Sequence, residues 1–171
     1  MMTFSSDYTK KDVFREVAAY LLSHDLNVSS SDDTRPWGGF FVIDEKQADK
    51  FIELFFPHLE PGDFAGFSKL SPKILMVEPG KRLSWQYHHR RAEIWKVIGG
   101  SAGVVISETD ELQPLIKLDL NEIVELNQGQ RHRLVGLENE WGIIAEIWKH
   151  TDKNNPSDED DIVRVEDDFG R

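Results

Sequence analysis

Residues 80–100 read GKRLSWQYHHRRAEIWKVIGG. Side chains alternate between the two faces of a strand, so Gln86 and His88 share one face, and Trp85 and Tyr87 the other. A turn through HRRA reverses the chain, and the apolar run EIWKVIG brings Glu93 back beside His88 on the neighbouring strand. An isolated carboxylate inside a barrel is unfavourable by roughly several kcal/mol, a cost that coordination of a metal removes. A further ligand is available where the glycine turn NQGQ leads into RHRL, at His132. Gln86, His88, Glu93 and His132 are therefore the candidate metal ligands. Imidazole nitrogens with carboxylate and amide oxygens suit one divalent transition metal, zinc first, with manganese, cobalt, iron or nickel as alternatives; the set is too nitrogen-rich for calcium or magnesium. His24, His58 and His150 lack such company and read as surface or satisfied core residues.

On either side the pattern is the same. From Lys69 to His150 the chain runs as ILMVE, RLSWQYH, EIWKVIG, AGVVIS, LIKLDL, EIVELN, RHRLVGL and GIIAEIWK, broken by glycine, asparagine or charged turns. Short β-branched and aromatic runs at roughly ten-residue spacing predict an antiparallel sandwich or small barrel. Before them, Thr9 to His24 carries a cap at Thr9 and Asp12 and an apolar repeat at Val13, Val17, Tyr20 and Leu21, which predicts a helix. A second helix is expected from Lys46 to Phe56, capped by Asp44, with Ala48, Phe51, Ile52 and Phe55 as its stripe and Pro57 as its stop. Between the helices, NVSSSDDT reads as a connector and RPWGGFFVID as a short strand. Arg90 and Arg91 read as solvated turn charges. By composition alone the acidic tail from Thr151 is a solvated end.

The chain has 171 residues, no cysteine, a formal charge of -11 and a pI near 4.9. That length suits one main domain. Without cysteine there are neither disulfides nor thiolate sites, and the acidity speaks against nucleic acid as a partner. No long apolar stretch or signal-peptide layout is present, so no membrane association is expected and the expected location is cytoplasmic. A phosphorylated substrate would require a local cluster of arginine or lysine within this repelling field.

The spacing Gly80, Gln86, His88, Glu93, Gly100 resembles the first motif of the cupins, with glutamine in place of a first histidine. Gly129, His132 and Asn139 resemble the second, with Asn127 where the family usually has proline. RPWG from Arg35, residues 71–105, the RHRL run and the ending EDDIVRVEDDFGR together are similar to the type II phosphomannose isomerase domain of bifunctional mannose-1-phosphate guanylyltransferases. Departures are Glu93-Ile94-Trp95 for the family's EHW, and Leu83-Ser84-Trp85-Gln86 for its LSLQ. No glycine-rich nucleotide-binding segment precedes the barrel, so a stand-alone domain is expected.

The resemblance implies a mostly β fold, a cupin (double-stranded β-helix, jelly-roll) barrel with two N-terminal helices. The expected division is an N-terminal helical extension at 1–34 and a barrel domain with its acidic tail at 35–171. It further implies a metal-dependent interconversion of mannose 6-phosphate and fructose 6-phosphate by enediol proton transfer. Arg164 in DDIVR is implied near the catalytic site as the phosphate arginine. Lys73 and Glu146 are the candidate bases, and Arg133 and Arg35 the further substrate-binding arginines. Alternatives are a cupin isomerase of another sugar, or a non-catalytic cupin that binds a sugar or metal. Open barrel edges are compatible with a homodimer.

Overall fold

The computed structural model describes residues 2–64, 66, 67 and 69–170; Met1 and Arg171, the ends of the two expected domains, lie outside them. Its α-helices are α1 (Lys10–Ser23) and α2 (Ala48–Phe55). Its strands are β1 (Val28–Asp32), β2 (Gly38–Ile43), β3 (Lys73–Val77), β4 (Trp85–Tyr87), β5 (Arg91–Gly99), β6 (Ala102–Ser107), β7 (Ile116–Leu118), β8 (Ile123–Leu126), β9 (Arg131–Gly136), β10 (Gly142–His150) and β11 (Val163–Glu166). They form two antiparallel sheets, ordered β1-β2-β3-β10-β5-β8 and β11-β4-β9-β6-β7. This is the expected cupin barrel. No helix among the described residues is long and apolar enough to cross a membrane.

Period-two patterning splits the core in two. Along β10, Ile143, Ala145 and Ile147 join the cluster that holds Val13, Val17 and Leu21 of α1 and Phe51 and Phe55 of α2. Ile144, one step out of phase, faces the barrel interior with Leu75, Val77, Trp95, Val97, Leu126 and Leu134. The central strands of the larger sheet, β3 and β10 above all, are therefore buried on both faces, helices on one and barrel on the other.

The helices start as their caps dictate. The Thr9 hydroxyl accepts from the Asp12 amide at 3.2 Å and donates to the Asp12 carboxylate at 2.6 Å. The second expected helix is divided: Asp44 caps a 3-10 turn at Glu45–Gln47, and α2 follows.

Two stretches read as irregular are strands. NVSSSDDT contains β1, which pairs with β2 at the edge of the larger sheet and is almost wholly exposed. A strand held at an edge by backbone hydrogen bonds needs no apolar alternation, so its composition hides it. The acidic tail contains β11, paired with β4 through Arg164 opposite Gln86. Gly38, in RPWG, has φ +140°, and a Cβ there would stand 1.9 Å from the Met76 carbonyl oxygen, so only glycine admits β3 beside it.

Candidate metal centre and its cavity

Neighbouring strands bring the expected ligands to one end of the barrel. Gln86 on β4 lies opposite His132 on β9, His88 follows the end of β4, and Glu93 projects from β5. Ligand atoms of His88, Glu93 and His132 all lie within 4.8 Å of one another, and all three residues are buried. His88 Nε2 is 3.0 Å from Glu93 Oε1, and His132 Nε2 is 3.4 Å from Glu93 Oε2. The Gln86 side-chain oxygen accepts from the Ser84 hydroxyl at 2.5 Å, and Gln86 lines the same cavity.

These residues fit a metal, on evidence from their other hydrogen bonds. His88 Nδ1 lies 2.6 Å from the Asp161 carbonyl and His132 Nδ1 lies 3.0 Å from the Gln130 carbonyl. A carbonyl only accepts, so each Nδ1 carries the proton and each Nε2 presents a lone pair to the carboxylate when the ring is neutral. Among the described residues, Glu93 Oε2 and His132 Nε2 are both buried without a hydrogen-bond partner. A cation between facing lone pairs satisfies both.

The turn before His132 is firmer than its missing proline suggests. The Asn127 amide, which proline would lack, donates to the Gln130 side chain at 3.0 Å, and the Gln130 amide donates to the Asn127 carbonyl at 3.1 Å. Gly129, at φ +74°, donates its amide to the His88 carbonyl at 2.9 Å, tying the turn before His132 to His88.

Arg91 does not have the solvated place expected of it. It is buried, its guanidinium is centred 3.8 Å from the Trp148 ring centroid, and its Nε donates to Glu93 at 2.9 Å. Burial by itself would raise the Glu93 carboxyl, but the neighbouring His88 and Arg91 outweigh it and hold the group well below its usual value. Arg91 also donates to the Ser157 hydroxyl at 2.9 Å and to the Asp158 carbonyl at 3.0 Å. Arg90 reaches Asn155 at 2.8 Å and the Pro156 carbonyl at 3.0 Å. The segment from Asn155 to Asp161 is thus a strap across the site. Asp161 fastens it, accepting from the His89 amide at 2.9 Å, the Arg90 amide at 3.0 Å and the Ser157 hydroxyl at 2.6 Å. Burial would raise the Asp161 carboxyl, yet these donors hold it lowered. The one available sequence clue to Arg91 was parity, since it lies two residues from Glu93 and so on the same face. Nothing in the tail's composition pointed to Ser157 or Asp161.

Beside these candidate residues is a cavity of about 140 Å³, lined by Arg35, Lys73, Arg91, Arg164, Glu93, Glu146, Glu159, Gln86 and apolar residues including Phe40 and Trp95. Four cations meet there, the local basic cluster that an anionic substrate requires on an acidic chain. Arg35 is paired with Asp32 at 2.8 Å, and Lys73 with Glu159 at 2.9 Å. Arg164 is exposed on β11 and lines the cavity, with no hydrogen bond or ion pair from its guanidinium among the described residues. Glu146 accepts from Trp95 Nε1 at 2.9 Å. Burial first, and the nearby charge of Glu93 second, push its carboxyl up to about 8. Arg133 is not brought to this cavity: one residue out of phase with His132, it is buried beneath the tail and donates to Glu166 at 3.1 Å. His150 is a satisfied core residue, accepting the Ser157 amide at 2.9 Å.

Residues 65–167 match the family model described as Mannose-6-phosphate isomerase C-terminal. The chain is 31% identical over 137 residues to the xanthan biosynthesis protein XanB of Xanthomonas campestris pv. campestris, which covers 80% of this chain and 23% of that protein. It is 37% identical over 137 residues to the alginate biosynthesis protein AlgA of Pseudomonas aeruginosa, covering 80% of this chain and 22% of the relative. It thus spans less than a quarter of these relatives' length. The solved structure of the capsular polysaccharide assembling protein CapF from Staphylococcus aureus superposes with a TM-score of 0.51 at 18% identity, covering 91% of this chain and 38% of CapF. That likeness is one of fold.

Proposed function

We propose, from the premise that this chain belongs to the mannose-6-phosphate isomerase C-terminal family, that it is a metal-dependent isomerase of mannose 6-phosphate and fructose 6-phosphate. The observation that carries the proposal is Glu93, which belongs to the buried cluster with His88 and His132 and also lines a cavity together with Glu146 and four cationic side chains. Both departures from the family pattern leave that cavity untouched. Ile94 packs in the helix-side core, and Trp85 lies on the face opposite Gln86, donating to the Asp110 carbonyl at 3.0 Å.

His88, Glu93, His132 and Gln86 would hold a divalent transition metal, zinc being the leading choice, which would supply Lewis acidity at the substrate carbonyl. The chain's own groups do the rest. Of the two candidate bases, Lys73 is engaged by Glu159, whereas Glu146 is a buried carboxyl with an affinity for protons near neutrality. Glu146 removes the proton from C2 of the open-chain aldose and returns it to C1, through the enediol. Arg164 offers its guanidinium to the phosphate, and Arg35 flanks the opening. Trp95 holds the Glu146 carboxyl through Nε1, and Phe40 and Trp95 help to keep water from the reacting carbons.

The test is interconversion of the two sugar phosphates by purified protein. Chelation should abolish it, and zinc, manganese or cobalt should restore it. Turnover in heavy water should place deuterium at C1 of the fructose 6-phosphate wherever the proton on Glu146 exchanges with solvent. Folded, metal-replete protein that interconverts no aldose and ketose phosphates would overturn the proposal.

A further inference from the structure

The paired cations of the cavity are held in unlike ways. The Asp32 carboxylate on Arg35 is 25% exposed and the Glu93 carboxylate on Arg91 is 3% exposed. Lys73 is itself only 9% exposed, but its partner Glu159 is 61% exposed and reaches the cavity from the strap, outside any strand. Lys73 Nζ also lies 4.6 Å from the centroid of the Trp148 ring, which fixes the ammonium at the cavity wall. The cation is therefore built into the barrel, while its counter-ion stands mostly in water.

A buried ammonium is costly without a counter-ion, which gives Lys73 reason to keep one. An ion pair whose carboxylate is largely solvated contributes little net stability, so that carboxylate is readily exchanged for a better one. Space points the same way. The cavity of about 140 Å³ opens to solvent and Glu159 is among its lining residues, so departure of that side chain enlarges the room for an occupant. Of the three paired carboxylates, Glu159 is the most exposed and so the readiest to return to solvent, provided that an incoming anion takes its place on the buried Lys73.

We propose that Lys73 is an anion-binding residue of this cavity, and that Glu159 is its built-in stand-in, released to solvent when the phosphate of a sugar phosphate takes its place. The inference rests on the sugar-phosphate reading of the cavity and adds to it a source of selectivity. A phosphate replaces the carboxylate on Lys73 and meets the unpartnered Arg164 as well. A neutral sugar must break the Lys73–Glu159 pair and offers nothing in return, so discrimination comes from a penalty on the wrong ligand.

The experiment uses the full chain, metal-loaded, with calorimetric binding of inorganic phosphate, mannose 6-phosphate and mannose to wild type, Glu159→Gln, Lys73→Met, the double variant, and Asp160→Asn as a control on a neighbouring exposed acid. Glu159→Gln should bind inorganic phosphate roughly two- to fivefold tighter, the scale of removing one competing ion pair whose carboxylate is largely exposed. It should also narrow the preference for mannose 6-phosphate over mannose. Asp160→Asn should do neither, and Glu159→Gln should bring no gain in the Lys73→Met background. Unchanged or weaker phosphate binding by a folded Glu159→Gln protein would show that Glu159 is only a latch for the strap. Equal tightening by Asp160→Asn, or tightening that persists without Lys73, would show a general charge effect and overturn the proposal too. Phosphate binding needs no turnover. Tightened binding without isomerisation would therefore count against the isomerase reading alone, and isomerisation with unchanged binding against the exchange at Lys73 alone.

Discussion

Replacing Glu146 by glutamine should flatten the pH dependence of stability in the metal-free protein. In the folded chain the Glu146 carboxyl is pushed from 4.5 to about 8, by burial first and by Glu93 second, with Lys73, Arg91 and Trp95 opposing. Between those values the folded chain holds a proton that the unfolded chain has released. Stability therefore falls as pH rises through that window, and is recovered below it. The gap between 4.5 and about 8, at about 1.36 kcal/mol per unit, sets a ceiling of about 5 kcal/mol on the loss. Glutamine keeps an oxygen for Trp95 Nε1, now bonded at 2.9 Å, and carries no charge to bury. Urea unfolding in the presence of a chelator should find wild type and Glu146→Gln similar near about pH 5 and the variant more stable near about pH 8. Metal loading should shrink the difference, because a cation at Glu93 offsets the repulsion that raises Glu146. Parallel stability profiles, or a variant less stable by the same amount at every pH, would refute the reasoning and indicate an ionised Glu146 satisfied by Lys73.

His88→Ala should empty the metal site of a protein that otherwise carries about one ion per chain; full occupancy by elemental analysis would mean the wrong ligands have been assigned. Arg164→Ala should lower kcat/KM for mannose 6-phosphate roughly tenfold to hundredfold, the loss of about 1.5–3 kcal/mol in a charge-assisted contact, with metal content unchanged. Unaltered kinetics would remove Arg164 from the phosphate site. Asp161→Ala should unfasten the strap that holds His88 Nδ1 and weaken metal affinity roughly tenfold to hundredfold in competition with a chromophoric chelator, whereas unchanged affinity would show that the backbone alone orients the ring.

The approach of His88 to Glu93 was legible because it rests on local geometry. Alternation along one strand puts Gln86 and His88 on one face, and one reversal brings Glu93 to them, so a stretch of 21 residues determines most of the cluster. The helices were legible for the same reason, since Thr9 caps α1 and Val13, Val17 and Leu21 repeat at one turn's spacing. Where local pattern is absent the reading failed. β1 is polar and exposed along nearly its whole length, and only its backbone pairing with β2 makes it a strand. Asn127 stands where the family usually has proline, and the side-chain bond from Gln130 that closes its turn has no signal in the local pattern.

The sequence by itself thus determined the barrel, its helices, the family and the parity of the ligand residues, because each follows from the periodicity or motif of a short segment. Only the tertiary structure decided the environment of those residues. Parity puts Arg91 on the face of Glu93, but its burial comes from Ser157 and Asp158, 66 and 67 positions away. The orientation of His88 depends on a carbonyl 73 positions distant, and the partner of Lys73 lies 86 positions along the chain. Arg133, adjacent to a ligand in sequence, is turned from the cavity and captured by the tail. A strand's own pattern sets which way a side chain points; what covers it, which charge it meets and how far its pKa moves are set by remote segments that the closed barrel brings against it.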